Sequence, residues 1–374
     1  MAQQPSILVI SSYRETLNTV RPEGRWFLGL VRDHGYSVTI MTPREEASYL
    51  DEMEAVGVRI IDWHPSSKWS RDDSRRIADE LAANHYDILH LFNNVSVVSG
   101  IRAASGWPGK VVTYRGYTGN IHAWDPTAYL GHLNPRVDMV TCVSQAVADS
   151  FPGKPFFDPK KLAVVGKGHE PQWYANVVPT DLQQEFGIPA EKTVLIMVAN
   201  ARRMKGMNYL GAAIKSLPED LGLHFLFAGR GLQTPDFQSD LKASHYADAY
   251  TFSGFRTDVL NLIAAADISL LASVKGEGLS KVLLESMFLG RPTIMTDIGG
   301  NKGLAVDHET ALVIPPKDPV ALSAAVEELV LTPHLRQRLG EGAKEYMAKH
   351  YGAVKTTQDL HNAYGKLLGR QGNE

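Results

Sequence analysis

Short apolar runs, rich in β-branched and aromatic residues, alternate with longer segments along the first half of the chain. Each run has the length of a buried strand, and each intervening segment is long enough for a crossover helix. This alternation predicts a parallel sheet covered by helices on both faces. The predicted strands of the first half lie at 7–11, 37–41, 59–61, 88–92, 110–114 and 139–143.

The alternation stops in the segment 151–181, which contains five prolines, and then resumes. Because clustered prolines interrupt regular structure, we place a domain boundary in this segment, near Trp173. The end of the chain is helical and contains no strand-like run. The pattern predicts an α/β protein with two doubly wound, Rossmann-like domains at 1–172 and 173–352, followed by a C-terminal helix at 353–374. The predicted strands of the second domain lie at 193–198, 224–228, 250–252, 268–271, 292–296 and 311–314.

Composition agrees with an ordinary globular protein, since 44% of the residues are hydrophobic and 21% are charged. At 374 residues, the chain fits two domains of roughly 150–200 residues each better than one core. Its formal net charge of −3 argues against nucleic-acid binding, for which a strongly basic domain is expected. Cys142 is the only cysteine, and its apolar neighbours predict a buried strand residue instead of a nucleophile.

Two further patterns bear on location and on metals. The N-terminal residues have no basic segment ahead of an apolar stretch of signal-peptide length, and no window approaches the ~18–20 apolar residues of a membrane span. We therefore expect a cytoplasmic protein, with peripheral contact at the inner face of the cell membrane left open. Because no Asp-x-Asp loop and no ligand-spaced histidines occur, we expect no metal site.

Two carboxylates, Glu277 and Glu285, lie eight residues apart across a predicted loop-to-helix boundary. Residues 280–289 have helical periodicity, so Glu277 lies just before the helix and Glu285 about a turn and a half inside it. The free N–H groups of residues 278–280 and the helix dipole favour an anion in the same space. A phosphate flanked by hydroxyl-rich sugars would satisfy both features. The alternative is that both residues are ordinary helix acids, stabilised by the dipole.

A basic loop follows the first strand of the second domain. It contains Arg202, Arg203 and Lys205 and leads into a helix at Met207. An arginine fork and a lysine point charge are suited to a pyrophosphate. The alternative is a solvated basic turn, and the sequence leaves open whether Arg202 or Arg203 points inward.

The stretch EGLSKVLLESMFLGRPTIMTD, at 277–297, resembles the Glu-x7-Glu signature of the family-4 retaining glycosyltransferases, also called glycosyl transferases group 1. The resemblance implies the GT-B architecture, in which two Rossmann-like domains face each other across a cleft and the terminal helix crosses back to the first domain. It also implies that Glu277 contacts the donor sugar and Glu285 the nucleotide ribose. Residues 202–206 resemble the family's Arg-x-x-Lys-Gly donor-phosphate loop, so the expected catalytic residues are Arg202, Lys205 and Glu277.

The same resemblance extends to other loops that would contact the donor. The turn at Gly229 resembles the family's Gly-x-Gly turn under the nucleotide, and residues 254–256 match the position that lines the base pocket. Gly24 stands where relatives have a glycine pair near the pyrophosphate, although only one glycine is present. The expected donor-binding residues are Gly24, Arg202, Lys205, Gly229, Gly254, Phe255, Arg256, Glu277, Gly278, Leu279, Ser280 and Glu285.

The first domain departs most from the family pattern. Arg115 occupies the place after a strand where the family often has a histidine near the transferred sugar. Because arginine cannot act as a base, we expect Arg115 to bind a phosphate or carboxylate on the acceptor side. His122 is a second acceptor-side candidate.

The resemblance implies a retaining, metal-independent hexosyltransferase without a cofactor. Its donor would be a nucleotide-diphosphate sugar, of which UDP-sugars are the most frequent in the family, and its acceptor a glycan or a lipid-linked glycan of the cell envelope or an exopolysaccharide. The alternatives are a sugar-nucleotide epimerase of related architecture and a catalytically silent sugar-binding module. A dehydrogenase is disfavoured, because the first strand and the loop after it contain no glycine motif. The base, the acceptor and the oligomeric state stay open.

Overall fold

The computed structural model describes residues 4–12, 22–45, 47, 49–119 and 121–370. The chain divides into two compact units, of which the first contains Met1–His169 and Tyr351–Glu374. The second unit is the continuous stretch Glu170–His350. The second unit is therefore an insertion in the sequence of the first.

One parallel sheet of seven strands forms the centre of the first unit. Its strands are β1 (Ser6–Ile10), β2 (Ser37–Thr42), β3 (Arg59–Asp62), β4 (Ile88–Leu91), β5 (Lys110–Arg115), β6 (Met139–Cys142) and β7 (Leu162–Val164). They lie in the order β3-β2-β1-β4-β5-β6-β7, so the order reverses between β1 and β4. In open parallel sheets, ligands bind outside the carboxyl ends of the strands at such a reversal.

Among the described residues of this unit, five helices connect these strands, and their starts follow from the sequence. Ser70 accepts a hydrogen bond from the backbone of Asp73 to cap the helix that begins at Arg71, and Asn93 forms a capping box with Ser96 at the start of the helix that begins at Asn94. Two short 3₁₀ turns lie at Pro126–Leu130 and Pro159–Lys161. The helices are α1 (Pro22–His34), α2 (Leu50–Ala55), α3 (Arg71–Ala83), α4 (Asn94–Ala103) and α5 (Gln145–Asp149).

The second unit repeats this design with six parallel strands. They are β8 (Thr193–Val198), β9 (Leu223–Ala228), β10 (Tyr250–Gly254), β11 (Ile268–Leu271), β12 (Thr293–Thr296) and β13 (Leu312–Ile314). Their order is β10-β9-β8-β11-β12-β13, which reverses between β8 and β11. The helices are α6 (Gln172–Ala175), α7 (Leu182–Phe186), α8 (Met207–Ser216), α9 (Pro235–Lys242), α10 (Val259–Ala265), α11 (Lys281–Phe288), α12 (Pro319–Leu331) and α13 (Pro333–Tyr351).

The predicted fold class is confirmed, because both sheets are parallel and doubly wound. Each strand predicted from the sequence is present within one or two residues of its predicted bounds. One observed strand, β7, was not predicted from the sequence, because it lies inside the proline-rich segment 151–181. It has three residues, pairs only with β6 at the edge of the sheet, and leaves Val164 exposed.

The terminal helix α14 (Ala353–Leu367) packs on α1 of the first unit, as the resemblance implied. Its Tyr364 is fully buried, and the hydroxyl lies 2.6 Å from Nδ1 of His90 on β4. Burial lowers the pKa of His90 to about 3, so the imidazole is neutral at pH 7. A hydrogen-bonded polar pair inside an apolar core holds α14 in one register against the sheet.

We expect Gly29→Ala to weaken the packing of α14 on α1. A Cβ at Gly29 would lie 2.6 Å from Oγ1 of Thr357 on α14. Such overpacking costs about 1–3 kcal/mol, more than the gain of up to about 1 kcal/mol in helix propensity. Thermal unfolding followed by circular dichroism should show a lower Tm, by about 2–4 °C for each kcal/mol lost.

The matched control is Gly153→Ala, because a Cβ at Gly153 meets no atom within 4 Å. Its Tm should stay close to that of the parent protein. The second change Thr357→Ala should restore part of the stability of Gly29→Ala, since it removes the atoms that clash. A Gly29→Ala protein as stable as the parent would show that the close contact between α1 and α14 is not a constraint.

Candidate functional site

The loop after β8 is held against the loop after β11, at the point where the strand order of the second unit reverses. Gly206 has φ of +72°, and a Cβ there would lie 2.0 Å from the carbonyl oxygen of Ala272. The backbone N–H of Val274 donates to the carbonyl of Met204 at 2.8 Å. Only glycine allows this approach, so the Lys-Gly sequence at 205–206 follows from the packing of the two loops.

Lys205 and Glu277 meet where these loops join. The Nζ atom of Lys205 lies 2.5 Å from Oε1 of Glu277, and the hydroxyl of Ser273 donates to the same oxygen at 2.8 Å. Both charged side chains are mostly buried, with 17% and 11% of their surfaces exposed. The structure thus brings together two of the three predicted catalytic residues, and it adds Ser273, which the sequence analysis did not identify.

The backbone of Glu277 is fixed by the loop after β12. A Cβ at Gly300 would lie only 1.9 Å from the carbonyl oxygen of Glu277, so any other residue would force the backbone of one of the two loops to shift. The sequence analysis left the contacts of the glycine pair at 299–300 open. A pair of glycines after a buried strand is the signal that could have identified this close approach.

Helix α11 begins at Lys281, with Ser280 as its N-cap residue. Gly278, Leu279 and Ser280 therefore precede the first turn, which begins one residue later than the predicted helix start at Ser280, and their backbone lies at the positive end of the helix dipole.

Glu285, inside α11, is buried with 2% of its surface exposed. Its Oε1 atom lies 3.3 Å from Nζ of Lys281, one turn earlier on the helix. Tyr174 stacks on Phe288 of the same helix, with ring centroids 5.0 Å apart, and burial together with the charge of Glu285 raises the pKa of Tyr174. Glu285 is therefore a buried carboxylate with a cation and a phenol as neighbours, in a position distinct from that of Glu277.

Arg202 and Arg203 are exposed and line a cavity of about 540 Å³ beside α8 and α9, together with Tyr209 and Phe237. Lys205 and Glu277 are not among the residues that line it. Both arginines reach the same cavity, so the structure does not distinguish between them as the phosphate contact.

The loops after β8, β9 and β10 are tied together by backbone contacts. Gly229 donates to the carbonyl of Gly254 at 2.8 Å, and a Cβ at Gly229 would lie 1.7 Å from the carbonyl oxygen of Ala199. The guanidinium of Arg230 lies 4.1 Å from the centroid of the Phe255 ring, which is partly exposed. Three of the expected donor-binding residues thus lie in neighbouring loops, namely Gly229, Gly254 and Phe255. Arg230 lies beside them, although it was not identified from the sequence.

Arg256 has a structural role that the sequence analysis did not foresee. It donates to both carboxylate oxygens of Asp258 at 2.8 and 2.7 Å, and also to Glu185 on α7. The hydrogen bonds to Asp258 and then to Glu185 raise the pKa of Arg256 above its usual value. Because two carboxylates occupy this guanidinium, Arg256 ties β10 to α7, and the geometry does not favour its expected contact with the nucleotide.

In the first unit, Arg115 is buried at the end of β5 instead of facing an open site. It donates to the carbonyl of Tyr117 at 3.1 Å and to that of Gly119, and its guanidinium lies 3.5 Å from the centroid of the Tyr117 ring. Burial lowers the pKa of Arg115. The residue expected to bind an acceptor anion therefore organises the loop after β5.

The other first-unit candidates differ from each other. His122 is exposed and stacks on Trp124, with centroids 4.9 Å apart and the rings 6° from parallel. Gly24 is buried within α1.

Among the residues that the structure describes, no three histidine, cysteine, aspartate or glutamate side chains are grouped as ligands for a metal ion. No helix in the same residues combines the length and the apolar character needed to cross a membrane.

Two family models match the chain, one for each unit. The model of glycosyl transferases group 1 matches residues 179–346, which contain Lys205, Glu277 and Glu285, and the model of glycosyltransferase family 4 matches residues 28–173. This chain belongs to the family-4, group 1 glycosyltransferases. The resemblance drawn from residues 277–297 is thereby confirmed.

Curated relatives of this glycosyltransferase include proteins with different named activities. The alpha-D-kanosaminyltransferase of Streptomyces kanamyceticus is 27% identical over 190 residues, which are 50% of this chain and 49% of that protein. The lipopolysaccharide core biosynthesis glycosyltransferase LpsE of Rhizobium meliloti is 26% identical over 192 residues, 51% of this chain and 54% of that protein. The chain spans about half the length of these relatives.

Solved structures share the whole fold of this glycosyltransferase. A glycosyltransferase from Rickettsia africae superposes with a TM-score of 0.79 at 18% identity, covering 99% of this chain and all of the other. The Anabaena protein Alr3699/HepE, in complex with UDP, gives a TM-score of 0.73 at 14% identity, covering 97% of this chain and all of the other. At such low identities, the likeness shows a shared GT-B fold.

Proposed function

We propose that this glycosyltransferase is a retaining, metal-independent hexosyltransferase that uses a nucleotide-diphosphate sugar, with UDP as the nucleotide. The acceptor is a glycan or glycolipid of the cell envelope or of an exopolysaccharide. The observation that carries the proposal is the contact between Lys205 and Glu277 at the reversal point of the second sheet. The UDP bound to the Anabaena structure and the lipopolysaccharide activity named for the Rhizobium relative support the choices of donor and pathway.

The chemistry of the donor matches the two members of this pair. A sugar joined to a diphosphate presents hydroxyl donors and anionic oxygens on neighbouring atoms. The ammonium of Lys205 suits the β-phosphate, and the carboxylate of Glu277 suits the sugar hydroxyls. Before donor binding, each side chain neutralises the other, so neither is a buried unpaired charge. When the donor binds, the contact between Lys205 and Glu277 is replaced by two contacts. Lys205 then contacts the β-phosphate, and Glu277 contacts the sugar hydroxyls.

Departure of the nucleotide creates the largest electrostatic demand of the reaction. As the bond from C1 of the sugar to the β-phosphate oxygen breaks, negative charge develops on that phosphate. Lys205, Arg202 and the N-terminal end of α11 supply positive charge without a metal ion. Their cooperation is part of the proposal.

Retention is assigned by the family resemblance. The acceptor oxygen bonds to C1 on the face from which the phosphate departs, and the acceptor's proton passes to the departing phosphate. Glu277 then steadies the positive character of the sugar ring in the transition state. The nucleoside diphosphate is the second product, so atoms and charges balance.

Glu285 is proposed to bind the ribose of the nucleotide. Its burial and its contact with Lys281 at 3.3 Å fix the carboxylate on α11, in the position of the second glutamate of the family signature. A hydroxyl pair is a suitable partner for such a carboxylate. This contact is the same in the ground state and the transition state, so it contributes to binding and not to rate.

The first test of this function is Lys205→Ala. Loss of a charged contact to the leaving phosphate should cost ~3 kcal/mol and lower kcat by about a hundredfold or more. Product analysis with UDP-sugars measures transfer, and it separates transfer from isomerisation of the donor. The matched control is Lys215→Ala, which removes a lysine of α8 that pairs with Asp240 at 2.7 Å. Equal turnover of the two folded variants would contradict the role of Lys205.

The two carboxylates should differ in their kinetic effects. Glu285→Gln should raise the KM for the donor and weaken binding of the free nucleoside diphosphate, with kcat nearly unchanged. Glu277→Gln should lower kcat and leave binding of the diphosphate nearly unchanged, since it faces the sugar. Initial rates give kcat and the KM for the donor, and calorimetry with UDP gives the affinity for the nucleoside diphosphate. The opposite result, with UDP binding lost only in Glu277→Gln, would reverse the two roles.

Activity should persist when divalent ions are removed. With positive charge supplied by side chains and a helix end, excess EDTA should change the rate by no more than about twofold, or roughly 0.4 kcal/mol. Initial rates with and without EDTA check this. A loss of activity that manganese or magnesium restores would show that a metal ion takes part.

A further inference from the structure

The segment that follows the carboxyl end of β5 exposes an indole ring. Trp124 follows β5 by nine positions, and 79% of its surface is exposed. A flat aromatic face that is open to solvent is available to stack on a ligand. The carboxyl end of a parallel sheet is the edge at which such folds bind ligands.

The ring of Trp124 has one covered face and one open face. The imidazole of His122 lies parallel to it, 4.9 Å away between centroids, and therefore covers one side. The large exposed fraction of Trp124 means that the other face is open to solvent. The stack thus forms a flat apolar platform with polar groups at its rim.

Hydrogen bonds on both sides of Trp124 hold this platform in place. The hydroxyl of Tyr129 donates to the carbonyl of Ala123 at 3.0 Å, and the backbone of Asp125 donates to the carbonyl of His122 at 3.1 Å. The carboxylate of Asp125 accepts from the backbone and hydroxyl of Thr127 at 2.8 Å. A platform fixed before binding loses little entropy when a ligand arrives.

Arg115 fixes the other end of the loop from inside the sheet. Its hydrogen bonds to the carbonyls of Tyr117 and Gly119 shape the residues that precede the platform. The arginine is therefore internal, whereas the indole of Trp124 is exposed.

We infer that Trp124, backed by His122, is a stacking subsite for a sugar ring of the acceptor. One face of a hexose ring presents C–H groups, whose positive hydrogens suit the negative face of an indole, and its hydroxyls remain at the rim for polar partners. The inference rests on the proposed function and makes the acceptor a carbohydrate instead of a small acid or amine.

The charge of the loop favours a sugar over an anionic membrane surface. Residues 116–131 contain no lysine or arginine, and their only charged side chain is Asp125. Lipid-binding surfaces of cytoplasmic proteins are rich in lysine and arginine. A neutral hexose has no such requirement.

Binding of simple sugars tests the inference without any enzymatic turnover. The probes are the methyl glycosides of glucose, galactose and mannose, measured by saturation-transfer NMR on the full chain. Saturation should pass from the protein to the ring hydrogens of at least one glycoside. Trp124→Ala should weaken this binding by about tenfold or more, while Trp124→Phe, which keeps an aromatic face, should retain most of it.

The matched control is Trp69→Ala. Trp69 is also exposed in the first unit, with 65% of its surface open, but it lies outside the loop after β5. Its removal should leave glycoside binding unchanged. The inference is overturned if no glycoside binds the parent protein, if Trp124→Ala binds as well as the parent, or if Trp69→Ala loses as much binding as Trp124→Ala.

A kinetic measurement separates this inference from the proposed function. In Trp124→Ala, hydrolysis of the donor without acceptor should stay unchanged, while the KM for a glycoside acceptor should rise by about tenfold at nearly constant kcat. Absence of both transfer and hydrolysis in the parent protein would reject the proposed function, and the NMR comparison would still decide the stacking subsite. An unchanged acceptor KM in Trp124→Ala would overturn the subsite alone.

Discussion

The contact between Lys205 and Glu277 depends on backbone approaches that only glycine permits. Gly206 brings the loop after β8 against Ala272, and Gly300 brings the loop after β12 against Glu277 itself. The ammonium of Lys205 and the carboxylate of Glu277 are thereby held 2.5 Å apart with little access to water. Either charge without the other would be a costly buried charge. The contact between these two charged groups therefore requires the three loops to pack against each other.

The first unit depends instead on hydrogen bonds between polar side chains buried in its core. His90 on β4 lies between Tyr364 on α14 and Thr141 on β6, so a neutral imidazole joins the terminal helix to two strands that flank β5. Since both ring nitrogens have partners inside the core, a shift of α14 along α1 would leave polar atoms without hydrogen bonds. The core of this unit is therefore specific as well as apolar, and the terminal helix is part of it.

The periodicity of the chain was enough to predict the two sheets, because buried parallel strands are continuous apolar runs with helices between them. It was not enough for β7, whose three residues at the sheet edge carry too little apolar surface to stand out among prolines. Motif spacing likewise indicated Lys205 and Glu277, but it could not show that two carboxylates occupy Arg256 or that Arg115 is internal. Those outcomes depend on Asp258, Glu185, Tyr117 and Gly119, and local sequence alone does not reveal which groups a long side chain will meet. The platform at Trp124 was missed for a similar reason, since exposure is a property of the fold.

The places where the chain leaves and re-enters the first unit are side by side. His169 donates from its backbone to Tyr351 at 3.0 Å and accepts from Ala353 at 3.0 Å, which makes a small parallel bridge with Gly352. The second unit, Glu170–His350, therefore begins and ends beside residues that are hydrogen-bonded to each other. Such adjacency allows a folded module to be inserted in, or exchanged from, a host without disturbing the host's core. The architecture therefore permits the two units to diverge independently, each keeping its own sheet and its own hydrophobic core.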